Sequence, residues 1–227
     1  MPDKMRIEVA PNQEVTALVY TAGKPDLAGV TVILGHGAGA DQKSDFMTRF
    51  ATGLAARGIN VVTFNFLYTE QGRRVPDANK ALEVCFRAVI EAVRHKKIGC
   101  GTLVIGGKSL GGRVASQVAA ASAPDVEGLV FLGYPLHPPG SADQLRAKHL
   151  PDITVPMLFV QGSRDAFGSP DVLRPIIREL KAPSDLYVVE GGDHSFKVLK
   201  RAGVTQEDAY KAVFDRIDLW LRQSIAN

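Results

Sequence analysis

Three polar residues in this chain have the types and the placement to run nucleophilic chemistry. Ser109 stands in Gly107-Lys-Ser-Leu-Gly111, directly after the apolar run of residues 102–105 and directly before the helix-like Arg113-Val-Ala-Ser-Gln-Val-Ala-Ala120. Strand, G-x-S-x-G, helix is the layout of a nucleophile elbow, a tight turn that lifts one serine above the edge of a sheet. The flanking glycines suit it because strand and helix backbones must nearly touch there. A serine hydroxyl is a weak nucleophile until a base removes its proton, and that base needs an orienting acid. His194, in Glu190-Gly-Gly-Asp-His-Ser-Phe196, follows the last strand at once and is the candidate base. Asp165, in Val160-Gln-Gly-Ser-Arg-Asp-Ala-Phe-Gly168, lies just past the preceding strand and is the candidate acid. Asp193 is its rival, but a chain neighbour is badly placed to reach the ring nitrogen beside it, and Asx-type shaping of the loop suits it better. His36, His95 and His149 belong to another loop, a helix end and the segment after the sixth strand.

The reaction also needs donors aimed at a developing oxyanion. Leu110 offers one N–H at the start of a helix, where the dipole favours negative charge. The second comes from Gly35-His-Gly-Ala-Gly-Ala-Asp41, with Ala38 the first choice and Gly37 the second. His36 holds that loop. Two phosphate-binding alternatives fit worse. Gly35-x-Gly37-x-x-Ala40 matches a dinucleotide fingerprint, but the next strand ends without an acidic residue for a ribose, and the helix starts only near Ser44. Around Lys108-Ser109 the position of the first phosphate-loop glycine is Thr102, and the intended loop is an apolar strand.

These residues are useful only if one scaffold brings them to one rim. Residues 6–10 and 15–20 alternate like an antiparallel edge pair. From Gly29 onward, continuous apolar strands alternate with helical stretches, the pattern of a parallel sheet buried on both faces. The strands read as Val30–Leu34, Val61–Phe66, Thr102–Gly106, Leu129–Leu132, Met157–Val160 and Leu186–Val189. Ser44 caps a helix that carries Phe46, Met47, Phe50, Ala51, Leu54 and Ala55. Pro76 opens the next, and 169–180 forms a less regular one. Thr205 caps the last, with Tyr210, Val213, Phe214, Ile217, Trp220 and Leu221 as its apolar stripe. The expectation is an α/β fold: an eight-stranded, mostly parallel sheet with helices on both faces, one domain over 1–227, and a short cap-like insertion at 134–155. In such a sheet, loops at the C-terminal strand ends share one rim.

Composition narrows the partners. The chain of 227 residues is 45% hydrophobic and 22% charged, with a formal net charge of +3, enough to bury a full core and too mild and scattered for nucleic acid. The basic Arg94-His-Lys-Lys97 closes a helix and complements its dipole. Cys85 sits on an apolar helix face, and Cys85 and Cys100 lack metal-ligand spacing, so neither a metal nor a disulfide framework is expected. No apolar run has the length of a membrane span, and the expected setting is cytoplasmic. No cofactor is expected, and the oligomeric state is open.

With these residues in place the chain resembles an α/β-hydrolase over its whole length, most of all the small, nearly lidless dienelactone-hydrolase-like members. Residues 36–40 (His-Gly-Ala-Gly-Ala), 107–112 (Gly-Lys-Ser-Leu-Gly-Gly), 133–140 (Gly-Tyr-Pro-Leu-His-Pro-Pro-Gly) and 191–196 (Gly-Gly-Asp-His-Ser-Phe) are similar to a subgroup that includes hydrolase-like subunits of a chromatin non-specific lethal complex and testis-expressed relatives. The chain order Ser, Asp, His is the one that fold uses. Dienelactone hydrolase itself uses cysteine, so Ser109 departs from it and its substrate is not carried over. The resemblance implies a triad of Ser109, Asp165 and His194, and a small ester or thioester as partner. The subgroup contains members considered binding modules, so a non-catalytic interaction module is the alternative. Tyr134, His137, Phe167 and Phe196, with Phe66 and Tyr68, fall near strand ends as candidates to line a pocket, though core packing claims at least half of such residues. Arg73 and Arg74 lie on a rim loop, either as a solvated pair or facing an acidic group. Lys108 packs or pairs at the elbow. A short cap predicts an open site without interfacial lipase behaviour.

Overall fold

A computed structural model describes residues 1–23, 29–96, 98, 101–121, 125–138, 140–141, 143–199 and 203–225. Lys97 and Cys100 lie outside them, as do positions 139 and 142 of the expected cap.

The strands are β1 (Asp3–Ala10), β2 (Gln13–Tyr20), β3 (Thr31–Gly35), β4 (Asn60–Phe64), β5 (Leu103–Lys108), β6 (Gly128–Leu132), β7 (Met157–Gly162) and β8 (Ser184–Val189). They form one eight-stranded sheet in the order β1-β2-β4-β3-β5-β6-β7-β8. Pairing is antiparallel for β1–β2 and β2–β4, and parallel from β4 through to β8. The helices are α1 (Asp45–Ala55), α2 (Leu67–Glu70), α3 (Asn79–His95), α4 (Leu110–Ala121), α5 (Pro170–Arg178) and α6 (Gln206–Ser224).

Every residue of β3 through β7 is buried, as expected where helices cover both faces. The period of two sorts their side chains. Ile33, Val62 and Ile105 join a core with α3 and α4, while Val32, Leu34, Val61 and Val104 join another with α1 and α6. Each large apolar side chain taken fully out of water contributes about 1.5–3 kcal/mol. Right-handed crossovers explain the sorting. The step from β3 to β4 runs one way along the sheet, and the step from β4 over β3 to β5 runs the other. The two steps therefore place α1 and α3 on opposite faces. The direction of winding changes beside β3, which makes the C-terminal ends of β3 and β5 a switch point, where open α/β sheets have their crevice.

Local details depart from the sequence reading in three places. Phe66 does not end β4 but precedes α2, a short helix that periodicity did not indicate. Pro76 does not open α3, which begins at Asn79. Ser44 holds the N-cap position of α1 without capping through its side chain, because its hydroxyl donates to Asp41 O instead (2.9 Å). Thr205 does cap α6, accepting from Asp208 N–H at 3.1 Å. Among the described residues no helix is long and apolar enough to cross a membrane.

Candidate active site

The turn between β5 and α4 is forced by close approach. Gly35 pairs with Gly107 across the two strands, and a Cβ at either Gly107 or Gly111 would collide with the Gly35 carbonyl oxygen. Ser109 is one of the few non-glycine residues at positive φ, +49°, a conformation that costs an L-residue about 1–2 kcal/mol. It is pinned from both sides: its N–H donates to Leu132 O (3.2 Å) and its carbonyl accepts from Arg113 N–H (3.0 Å). The N–H groups of Leu110 and Ala38 donate to no acceptor among the described residues. Both residues line, with Ser109, Phe167, Arg113 and Arg146, a cavity of about 360 Å³.

Asp165 follows β7 and is fixed by three donors. Its Oδ2 accepts from His194 Nδ1 (2.7 Å) and Gln161 Nε2 (2.9 Å), and its Oδ1 accepts from Phe167 N–H (2.8 Å). The Asp165 side chain is fully buried, whereas that of His194 keeps 20% of its surface exposed. An ionised carboxylate only accepts, so Nδ1 carries the hydrogen and the neutral ring presents its lone pair at Nε2. Phe167 lies against the His194 ring at 4.2 Å between centroids, so Asp165, His194, Phe167 and the Ser109 cavity form one contiguous cluster. No hydrogen bond joins Ser109 Oγ to His194 among the described residues; such contacts often tighten only once substrate is bound.

A family model described as an alpha/beta hydrolase domain matches residues 28–222. The chain belongs to the α/β-hydrolase family. Solved structures similar to it include an α/β serine hydrolase without a lid from Xanthomonas campestris (23% identity, TM-score 0.72, covering 98% of this chain and 94% of that one). A dienelactone hydrolase from Anabaena variabilis is similar at 17% identity and TM-score 0.74, with 98% of each chain covered. Est1E from Butyrivibrio proteoclasticus, with ferulic acid bound, is similar at 14% and 0.77, covering 98% of this chain and 100% of that one. At these identities the likeness shows the shared fold.

Other residues of this α/β-hydrolase chain fall into place around the cluster. His36 is fully buried. Its Nε2 accepts from Phe66 N–H (3.2 Å), so its Nδ1 carries the hydrogen that Gly37 O receives at 2.8 Å. Burial lowers its pKa, which keeps the ring neutral and suits this fixed pattern. It holds the Ala38 loop. Asp193 shapes the histidine loop, accepting from the N–H groups of Ser195 and Lys197 at 2.8 and 2.9 Å. Lys108 is buried and donates to His194 O at 2.7 Å, with its Nζ 5.5 Å from the Phe46 ring centroid. Burial pushes its pKa down to about 7 against the opposing charges of Asp165 and Asp193.

A second serine–histidine contact, Ser116 Oγ to His149 Nε2 at 2.7 Å, is of a different kind. Ser116 lies inside α4 with no exposed surface, and its hydroxyl donates to Arg113 O (2.7 Å). With that proton committed, the histidine ring is the donor, and the pair ties the segment after β6 to the helix.

The aromatic candidates divide. Phe167 lines the cavity. Tyr134 does not: it is fully buried against Phe131 and Phe159, with its hydroxyl on Arg146 O (2.9 Å). Phe196 has no exposed surface and packs on Phe46 and Phe50, and Phe66 and Tyr68 are likewise core. His137 is buried, its Nδ1 2.8 Å from Pro138 O and its N–H donating to Phe167 O (3.0 Å), so it holds the loop that carries Phe167. An aromatic residue at a strand end can turn up to the rim or down into the core, and these turn down. Arg73 is paired with Asp77 at 2.7 Å. The sequence reading missed Gln161, fully buried, which grips Asp165 and both the N–H and the carbonyl of Tyr134; a glutamine closing an otherwise apolar strand was the available signal. It also missed Arg113 and Arg146 as cavity residues. Arg113 was visible one helical turn after Ser109; Arg146 had no local signal.

Proposed function

We propose that this chain is a serine hydrolase that cleaves a small carboxylic ester or thioester through an acyl-enzyme. The observation that carries the reading is the 2.7 Å Asp165–His194 bond, on the same rim as the positive-φ Ser109. In this mechanism Ser109 Oγ attacks the carbonyl carbon while His194 Nε2 takes its proton. The N–H groups of Leu110 and Ala38, with Gly37 behind them, receive the negative oxygen. His194 then protonates the departing alcohol or thiol, and a water molecule repeats the sequence to release the acid. Asp165 holds the tautomer and stabilises the imidazolium. Phe167 and the cavity wall place the acyl group.

The reading is tested by steady-state kinetics over 4-nitrophenyl esters and acyl thioesters of graded chain length. Ser109→Ala is expected to lower kcat/KM by about 10⁴-fold or more, and Asp165→Asn to lower kcat by about 10³–10⁴-fold. Wild-type rates in Ser109→Ala would sink the proposal. A pure protein inert to the whole panel, yet holding a stable partner, would support the non-catalytic module instead. The finer kinship with hydrolase-like subunits of a chromatin complex rests on the four shared motifs alone.

A further inference from the structure

The cavity at Ser109 carries two positive charges that no ion pair neutralises among the described residues. Arg113 reaches it from α4, and Arg146 from the segment after β6. Among the described residues neither guanidinium forms an ion pair or side-chain hydrogen bond. Arg113 Nε is buried without any partner. The carboxylate that also lines the cavity, Asp77, is taken by Arg73 at 2.7 Å. Two like charges facing one partly buried space are unfavourable for the empty protein. Arg113 shows it in a lowered pKa, caused by burial first and by Arg146 second, with Tyr134 and Glu83 opposing. The terminal N–H groups of both guanidinium ions also have no hydrogen-bond partner among the described residues, and a planar guanidinium presents such groups as a fork that matches an oxyanion bidentately.

We infer that Arg113 and Arg146 form an oxyanion-recognising subsite, so that the preferred substrate is an ester or thioester whose acyl part ends in a carboxylate or phosphate. The inference rests on the hydrolase reading of Ser109. Arg113 follows Ser109 by four residues, about 6 Å along the helix, which is the reach of an acyl chain of about six carbons. The charge sits beside the reacting carbonyl without touching it, so it acts on binding and placement.

The test compares 4-nitrophenyl hexanoate with the mono-4-nitrophenyl ester of adipic acid, equal in length and different in terminal charge. The expected kcat/KM ratio favours the adipate ester at least 10-fold at low salt and falls as ionic strength rises. Arg113→Gln and Arg146→Gln each bring the ratio toward 1, and Arg113→Lys restores part of it. Arg146 lies on a loop, so its variant gives the answer even where Arg113→Gln disturbs α4. Calorimetry on Ser109→Ala with glutarate and with inorganic phosphate measures the subsite independently of turnover and shows which anion it prefers. Arginine-dependent anion binding with no turnover of any ester would leave the subsite standing and remove the nucleophile. Turnover through Ser109 with a ratio of 1 or less, or one unchanged in both glutamine variants, would overturn the subsite and leave the nucleophile, as would an absence of binding by either anion.

Discussion

Lys108 sits between the nucleophile and the histidine loop, and its environment makes a measurable demand. Its amine is buried against Phe46 and bonded to His194 O. Its pKa falls from an ordinary 10.5 to about 7. Between those two values the unfolded chain binds a proton that the folded chain has released. Stability contributed by this site therefore rises with pH across that window and is lowest below about pH 7, where the folded protein must hold a buried ammonium. Lys108→Met should remove that slope. Urea midpoints measured from pH 6 to 10 should show the wild type gaining on the variant as pH rises, and parallel profiles would contradict this. At this scale the strand-end positions of Ser109, Asp165 and His194 were legible because each follows an apolar strand. Tyr134 and Phe196 were misplaced because the sequence shows a residue's position on a strand end but not which way its side chain turns. Gln161 escaped because its role is defined by four hydrogen bonds to Tyr134, Asp165 and Gly168, which come from two other stretches of chain.

The elbow is an element-level construction, in which β3, β5 and α4 meet through glycine backbones. The α4 helix accepts two glycines in its first turn, at about 1 kcal/mol each in helix propensity, because Gly111 lies against Gly35 of β3 and Gly112 against Gly107 of β5. Gly111→Ala would drive a methyl group into the carbonyl of Gly35, backbone against backbone, with no flexible side chain to yield. The expected cost is about 1–3 kcal/mol, read as a lower Tm, with a larger loss in activity as Ser109 moves relative to Ala38. An unchanged Tm would mean that β3 and α4 are not in contact as described. The pattern G-x-S-x-G and the strand before it made this element readable from sequence. The start of α3 was not, since Pro76 looks like an N1 proline and only the tertiary path shows that two further residues, Asp77 and Ala78, precede the helix. The short α2 was equally hidden, as four residues are too few to show a period.

Across the whole molecule, alternation of apolar strands and helical stretches was enough to indicate an α/β sheet, but not the order β4-β3-β5. Given that order, crossover handedness sets which face each helix covers, and the order itself puts the Ala38 loop and Ser109 together at the switch point. The cavity beside them has mixed polar and apolar lining, and among the described residues its walls come from Ala38, the stretch from Pro76 to Leu82, the elbow and α4, Phe167 and the short, loop-rich segment after β6. Activity on short soluble esters should therefore show no jump when substrate passes its solubility limit; strong turnover of long-chain triglyceride emulsions would contradict an open site. The central claim, that Ser109 is an activated nucleophile, is tested most directly by reaction with a fluorophosphonate followed by peptide mass spectrometry. The account predicts a single stoichiometric adduct on Ser109, lost in Ser109→Ala and strongly slowed in Asp165→Asn; an unlabelled protein, or an adduct that persists in Ser109→Ala, would contradict it.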